Sequence, residues 1–157
     1  MGTGKDGYRR GVGVMLVNRD GKVFVGARID NAGEAWQMPQ GGIDADEDPW
    51  ATALRELEEE TGIPPRLVEK VAECPERLKY DLPAELQPKL WDGKWKGQDQ
   101  DWYLARFLGT DADVNIATEH AEFRDWKWIE PVELPELIVP FKRELYRQLL
   151  RTFADYL

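Results

Sequence analysis

Glu56, Glu59 and Glu60 stand at i, i+3 and i+4, the spacing that gathers three carboxylates along one edge of a helix. Carboxylate oxygens placed that way suit a hard divalent cation held against phosphate oxygens. The other use of an acidic helix is a salt-bridged, solvated face. At helical spacing Glu56 and Glu60 meet no basic residue, and only Glu59 has one, Arg55, within reach. Like charges at this spacing cost a few tenths of a kcal/mol per pair, and a bridging cation removes that cost. Glu58 points away from the other three and reads as solvated.

The helix that carries them has a start and a stop. Asp48 can cap free N–H groups, and Pro49 suits the first helical position. Gly62, followed by Pro64 and Pro65, ends the run after about 13 residues, an ordinary length. At about 100° per residue, Trp50, Ala53, Leu54 and Leu57 share a buried side. Around this helix the chain alternates. Residues 12–17 read as a buried strand, 18–21 as a turn and 22–28 as the returning strand. Residues 67–74, 101–108 and 126–129 read as further strands. Residues 75–98, with three prolines and Gly93, read as irregular. Residues 141–155 read as a helix with Leu145, Leu149 and Phe153 on one face. The mixture predicts an α+β fold, a mixed sheet between helices.

The stretch 41–63 resembles the Nudix box at every defined position. The pattern is a glycine, five residues, glutamate, seven residues, Arg-Glu-aliphatic, one residue, Glu-Glu, one residue, Gly-aliphatic. It is carried by Gly41, Glu47, Arg55, Glu56, Leu57, Glu59, Glu60, Gly62 and Ile63. Further stretches are similar to one branch of that family, the bacterial RNA pyrophosphohydrolases and the related dinucleoside polyphosphate hydrolases. They are Gly7-Tyr8-Arg9, the run from Trp36 to Gly42, the run from Lys96 to Trp102, Ala121-Glu122-Phe123 with Trp126 and Trp128, and Pro140-Phe141-Lys142-Arg143. The likeness runs from about residue 7 to about residue 156.

The resemblance implies a Nudix α/β/α sandwich over residues 1–157, with residues 1–6 flexible, and hydrolysis of a phosphoanhydride. It implies that Glu56, Glu59 and Glu60 ligate Mg²⁺ or Mn²⁺, two or more ions in the productive complex, with Glu122 as a distal acid and Glu119 its rival. A carbonyl of the Gly41 loop is an additional ligand. Arg55 would orient the carboxylates, and Glu47 would brace the loop on the helix, with Gly62 ending it. Arg9, Arg28 and Lys142 match positions that contact phosphates or 5′ nucleotides, and Gln40 and Gln98, from the matching flanks, are implied as further substrate-binding residues. Tyr80 and Phe141 offer rings on which bases could stack, although core packing is the commoner use of a single aromatic. Phe141, between Pro140 and a basic pair, is expected to be an exposed ring. The general base stays open among Glu59, Glu60 and Glu122. The implied substrate is the 5′ end of tri- or diphosphorylated RNA, or alternatively a diadenosine polyphosphate. Nucleotide-sugar hydrolysis fits the Lys96-Gly97-Gln98 motif less well. A metal- or protein-binding module without turnover fits the intact acids less well.

Composition bounds the rest. The chain has 157 residues, 42% hydrophobic, enough for a real core. No apolar run approaches the roughly 18 residues of a membrane span, and no signal-peptide core opens the chain, so a cytoplasmic protein with no membrane partner is expected. A net charge of −9 speaks against coating nucleic acid through an extended basic face, DNA included, but not against gripping a 5′ end. The lone Cys74 excludes an internal disulfide and reads as a small buried hydrophobe. The lone His120 reads as a loop residue and leaves little room for histidine-based mechanisms. An activating protein partner is compatible with the sequence, which does not specify one.

Overall fold

The computed structural model describes residues 6–30, 33 and 35–157. Of the six N-terminal residues expected to be flexible, 1–5 lie outside the described residues, and Asp6 pairs with Lys79 at 2.8 Å. The strands are β1 (Tyr8–Val17), β2 (Val23–Arg28), β3 (Gln40–Gly42), β4 (Val68–Glu73), β5 (Leu78–Asp81), β6 (Gly97–Phe107) and β7 (Phe123–Ile129). The helices are α1 (Pro49–Thr61), the short α2 (Leu134–Leu137) and α3 (Arg143–Thr152). The main sheet runs β4-β6-β1-β2-β7, with β3 paired to β1 and β5 to β6. Its long axis is the parallel pairing of β1 with β6, from Tyr8 opposite Gly97 to Val17 opposite Arg106. The other pairings are antiparallel, so the sheet is mixed.

Strand alternation splits the core into two layers. On one face Val12, Val14, Leu16, Tyr103, Ala105 and Phe107 meet Ala53 and Leu57 of α1. On the other, Met15, Val25, Trp102 and Leu104 meet Leu145, Tyr146 and Leu149 of α3. The expected α+β sandwich is what the chain forms, a sheet between helices.

Helix α1 starts and stops where its end signals place it. Asp48 accepts the Ala51 N–H at 2.9 Å, and Gly62 takes the left-handed cap, φ 74°, that a side chain would resist. Its apolar side is shifted slightly from the expectation: Ala53 and Leu57 are buried, whereas Trp50 and Leu54 are only partly so. Trp50 instead packs on Tyr103.

The reading of residues 75–98 as irregular is overturned in part. Residues 78–81 form β5, and β6 begins at Gly97 rather than Asp101. The short β3 was also missed. Its Gln-Gly-Gly carries no apolar alternation, and its pairing with Gly11–Gly13 of β1 is a tertiary contact. The strand reading of 12–17 likewise extends back to Tyr8, and that of 126–129 back to Phe123. Backbone pairing continues through both extensions where the apolar pattern does not.

Candidate active site

The acids of α1 are wired to its entry loop by one arginine. Arg55 contacts Glu47 at 3.1 Å, and Glu56 and Glu59 at 3.3 Å each. The absence of a cation beside Glu56, inferred from helical spacing, is therefore wrong: the adjacent arginine reaches sideways. Glu47 also accepts the Asp44 N–H at 2.9 Å, which ties the loop after β3 to the helix. The Gly41 backbone lies directly on Glu56. A Cβ at Gly41 would fall 2.3 Å from the Glu56 carboxyl carbon.

The three carboxylates do not share one environment, as an open edge would require. Glu60 is 2% exposed, and its Oε2 has no hydrogen-bond partner. Burial first, then the charge of Glu56, holds its carboxyl well above the ordinary carboxylate range. Burial, with Glu59 next to it, pushes Glu56 up to about 7. Glu59 is partly exposed, and Glu58 is exposed as expected.

Opposite this edge lies a cationic floor. Arg9, on β1, is half-buried and reaches over Gly42, where a Cβ would come within 2.2 Å of its Nη2. Lys142, just before α3, is 6% exposed. Burial, with Arg28 nearby, lowers its ammonium to about 7. Arg28, at the end of β2, donates to Asp30 through Nε (2.8 Å) and Nη2 (2.9 Å), and its Nη2 also lies 3.2 Å from Glu122. The Ile29 N–H donates to the Glu122 carbonyl at 2.9 Å, fixing that loop beside β2. The Thr118 hydroxyl donates to the Glu59 carbonyl, anchoring the same loop on α1. Glu122 is thus brought to the helical acids, whereas its rival Glu119 and the lone His120 are exposed on the loop.

Tyr80 and Phe141 face each other with ring centroids 5.9 Å apart. Tyr80 is buried yet lines the cavity, so core packing and access to a ligand coincide. Phe141 is only partly exposed, packed on the core as well as lining the cavity, rather than the exposed ring expected. Gln98 donates to the Tyr80 hydroxyl, and Gln40 accepts from Gln100 at 3.1 Å. Arg9, Arg28, Gln40, Gly41, Glu56, Glu59, Tyr80, Gln98, Glu122, Phe141 and Lys142 all line one cavity of about 620 Å³. Glu60, Glu47 and Arg55 are not in its lining; Arg55 touches the lining acids Glu56 and Glu59, Glu47 touches Arg55, and Gly62 caps the far end of α1. Sequence reasoning missed Asp30, Leu82 and Trp91 in this lining. Asp30 could have been suspected from its spacing to Arg28. Nothing in the sequence marks the other two.

The donor set fits a hard divalent cation. All candidate ligands are oxygens, and one buried carboxylate oxygen lacks a partner. Among the described residues, no three acidic, histidine or cysteine side chains converge closely enough to enclose an ion. Away from the site, burial pushes the Cys74 thiol up to about 11, so it stays an inert thiol packed on the core.

Fold and cavity together define a sandwich with an acidic helix edge facing a cationic, partly aromatic floor. The NUDIX domain family matches residues 7–149, and the chain belongs to that family. An RNA pyrophosphohydrolase of Roseobacter denitrificans is 57% identical over 150 residues, 96% of this chain and 94% of that protein. One of Erythrobacter litoralis is 58% identical over 151 residues, 94% and 92% of the two chains. Among solved structures, a C. elegans Ap4A hydrolase binary complex aligns over 94% of this chain and 98% of its own, with TM-score 0.64 and 22% identity. An E. coli dihydroneopterin triphosphate pyrophosphohydrolase aligns over 92% and 97%, with TM-score 0.69 and 16% identity. At those identities the structures establish the fold alone. Members of the family generally need divalent metal ions. No helix among the described residues is long and apolar enough to cross a membrane.

Proposed function

We propose that this chain is a pyrophosphohydrolase that cleaves phosphoanhydride bonds at the 5′ end of tri- or diphosphorylated RNA. The observation that carries the reading is the juxtaposition, in one cavity, of the Glu56–Glu59–Glu122 acids with Arg9, Arg28 and Lys142. An anionic polyphosphate is repelled by the first group and attracted by the second, so cations must mediate on the acidic side. RNA pyrophosphohydrolases more than half identical to this chain supply the choice of RNA. Diadenosine polyphosphates are the second reading, because the same groups would serve two nucleosides joined by phosphates. The Ap4A hydrolase likeness is one of fold and does not outweigh the first reading.

Two or more Mg²⁺ or Mn²⁺ ions are proposed, held by Glu56, Glu59, Glu60 and Glu122 with the Gly41 carbonyl. Bound there, divalent ions supply charge neutralisation for the phosphate oxygens. Arg55 keeps Glu56 and Glu59 in register with the Glu47-braced loop. Arg9 and Lys142 bind non-bridging phosphate oxygens. Arg28 is steered by Asp30 and Glu122 toward the same space. Tyr80 and Phe141 offer faces to a base, while Gln40 and Gln98 hold the surrounding hydrogen-bond frame. A water attacking phosphorus gives its proton to Glu59 or Glu122, the partly exposed acids of the lining. The buried Glu60 is not placed to receive it. No covalent intermediate is required. A single domain, a cytoplasmic site of action and the absence of DNA or membrane partners belong to the same proposal. The lone cysteine, with its inert thiol, suits a reducing compartment.

The test is incubation with Mg²⁺ and 5′-triphosphorylated RNA or, separately, diadenosine tetraphosphate, comparing kcat/KM. Monophosphorylated RNA is the expected product, lost in Glu59→Gln. Failure to release phosphate or pyrophosphate from RNA would sink the first reading, and cleavage of the dinucleotide alone would establish the second.

A further inference from the structure

Arg9 is held in an unusual way for a half-buried cation. Its hydrogen bond among the described residues is a long one, 3.4 Å to Gln98 Oε1. The acids that influence it, Glu56 and Asp44, do so only through space. What lies against the guanidinium is the Trp91 ring, with Cζ 5.1 Å from the ring centroid. Both side chains line the cavity. A cation stacked on an aromatic face keeps its N–H groups free in the ring plane, whereas a carboxylate partner would occupy them.

The backbone beneath the ring is strained. Trp91, Asp92 and Gly93 all take positive φ, 49°, 57° and 72°. Only the glycine is at ease there, and a bulky aromatic in that region is an outlier. Such strain persists where surrounding contacts over-determine it, and it gathers at ligand clamps. Here the Gly93 N–H donates to the Leu90 carbonyl at 2.8 Å, the Lys94 N–H donates to the Trp91 carbonyl at 3.1 Å, and the ring packs on the α3-side core. The turn presents the ring to Arg9, and the same guanidinium also lies close against the Gly42 backbone.

We propose that Trp91 is a positioning residue for substrate phosphate, holding the Arg9 guanidinium beside Gly42 so that its N–H groups meet an oxyanion. The inference rests on the phosphohydrolase reading above. Trp91 touches the cation and acts through it; it takes no part in the chemistry at phosphorus.

A double-mutant cycle tests this with two readouts: steady-state hydrolysis of 5′-triphosphorylated RNA, and calorimetric binding of inorganic tripolyphosphate with Mg²⁺. Trp91→Leu should raise KM and weaken tripolyphosphate binding, each by about tenfold, with kcat little changed. Trp91→Phe keeps a ring face and should recover most of the loss. In an Arg9→Ala background, Trp91→Leu should add nothing further. An equal penalty with and without Arg9 would mean that Trp91 only supports its loop, and would overturn the inference. So would an Arg9→Ala variant unchanged in both readouts, or a loss confined to kcat and melting temperature. If the wild type leaves RNA intact, the functional reading fails, and the cycle in tripolyphosphate binding still decides the role of Trp91.

Discussion

One nitrogen of Arg55, Nη1, lies 3.3 Å from Glu56 and 3.3 Å from Glu59, while Nη2 of the same guanidinium reaches Glu47 at 3.1 Å. The fork thus couples the loop brace to two of the candidate ligands. Arg55→Ala should release all three carboxylates and cost about 10–100-fold in activity or metal affinity, the usual range for a group that orients metal ligands. Arg55→Lys should recover part of this, because it restores the charge without the fork. Mg²⁺ titrations of kcat in both variants measure it.

Glu56 and Glu60 make the stability of the metal-free protein depend on pH. Both carboxyls are raised above the ordinary 4.5, Glu56 to about 7 and Glu60 well beyond 4.5. Below pH 4.5 folded and unfolded chains both hold these protons. As pH rises from there through 7, the unfolded chain loses them while the folded one retains them, so stability falls. The lowered carboxyls of Glu47 and Asp30 act oppositely, but in the more acidic range below their ordinary values. Lys142, lowered to about 7, acts oppositely as pH approaches and passes that value, so melting curves in chelator between pH 5 and 6.5 should show the decline, and Glu60→Gln should flatten it. A curve rising over that interval, unaltered in the variant, would contradict the assignment.

Metal addition should act most strongly where those protons leave most readily. A cation competes with them, so Mn²⁺ should raise the melting temperature more at pH 8 than at pH 5. Removal with chelator should abolish both the shift and the activity. Calorimetry at the two pH values checks this directly.

Gly42→Ala should damage phosphate binding without unfolding the chain. Its Cβ would come 2.2 Å from Arg9 Nη2, and the far end of a flexible side chain can move away. The expected result is a raised KM with a melting temperature close to wild type. By contrast, Gly41→Ala would press on Glu56 itself, within 2.3 Å of its carboxyl carbon. It should lower kcat and metal affinity together.

Tyr146→Phe tests the support behind the loop. The Met38 N–H donates to the Tyr146 hydroxyl at 2.9 Å in a fully buried setting. Removing that acceptor orphans the amide, at about 1–3 kcal/mol. Melting should drop by about 2–4 °C for each kcal/mol in a domain of this size. Thermal denaturation of the variant is the measurement.

The acidic edge, its cap at Asp48, its stop at Gly62 and the cores of the longer strands were legible in the residues alone. Each rests on near neighbours in the chain: helical spacing, capping chemistry and alternation of side-chain faces. The box added the identities of the candidate ligands, because its spacing matches a family at every defined position. The edge strands β3 and β5 were not legible. They exist because β1 and β6 offer them backbone partners, and the apolar pattern is silent about that.

What the sequence determined by itself was therefore the inventory: a capped helix with three acids on one side, an α+β arrangement, and the cations and rings available to face it. Tertiary structure decided their environments. It buried Glu60 and left Glu59 partly exposed, although the two are adjacent in the chain, because successive helical residues face different directions. It brought Glu122 rather than Glu119 beside Arg28, through the β2 and α1 anchors of the intervening loop. It also laid Trp91 on Arg9 across 82 positions of sequence. Burial and charge proximity depend on where distant segments of chain come to rest, and no local spacing encodes that.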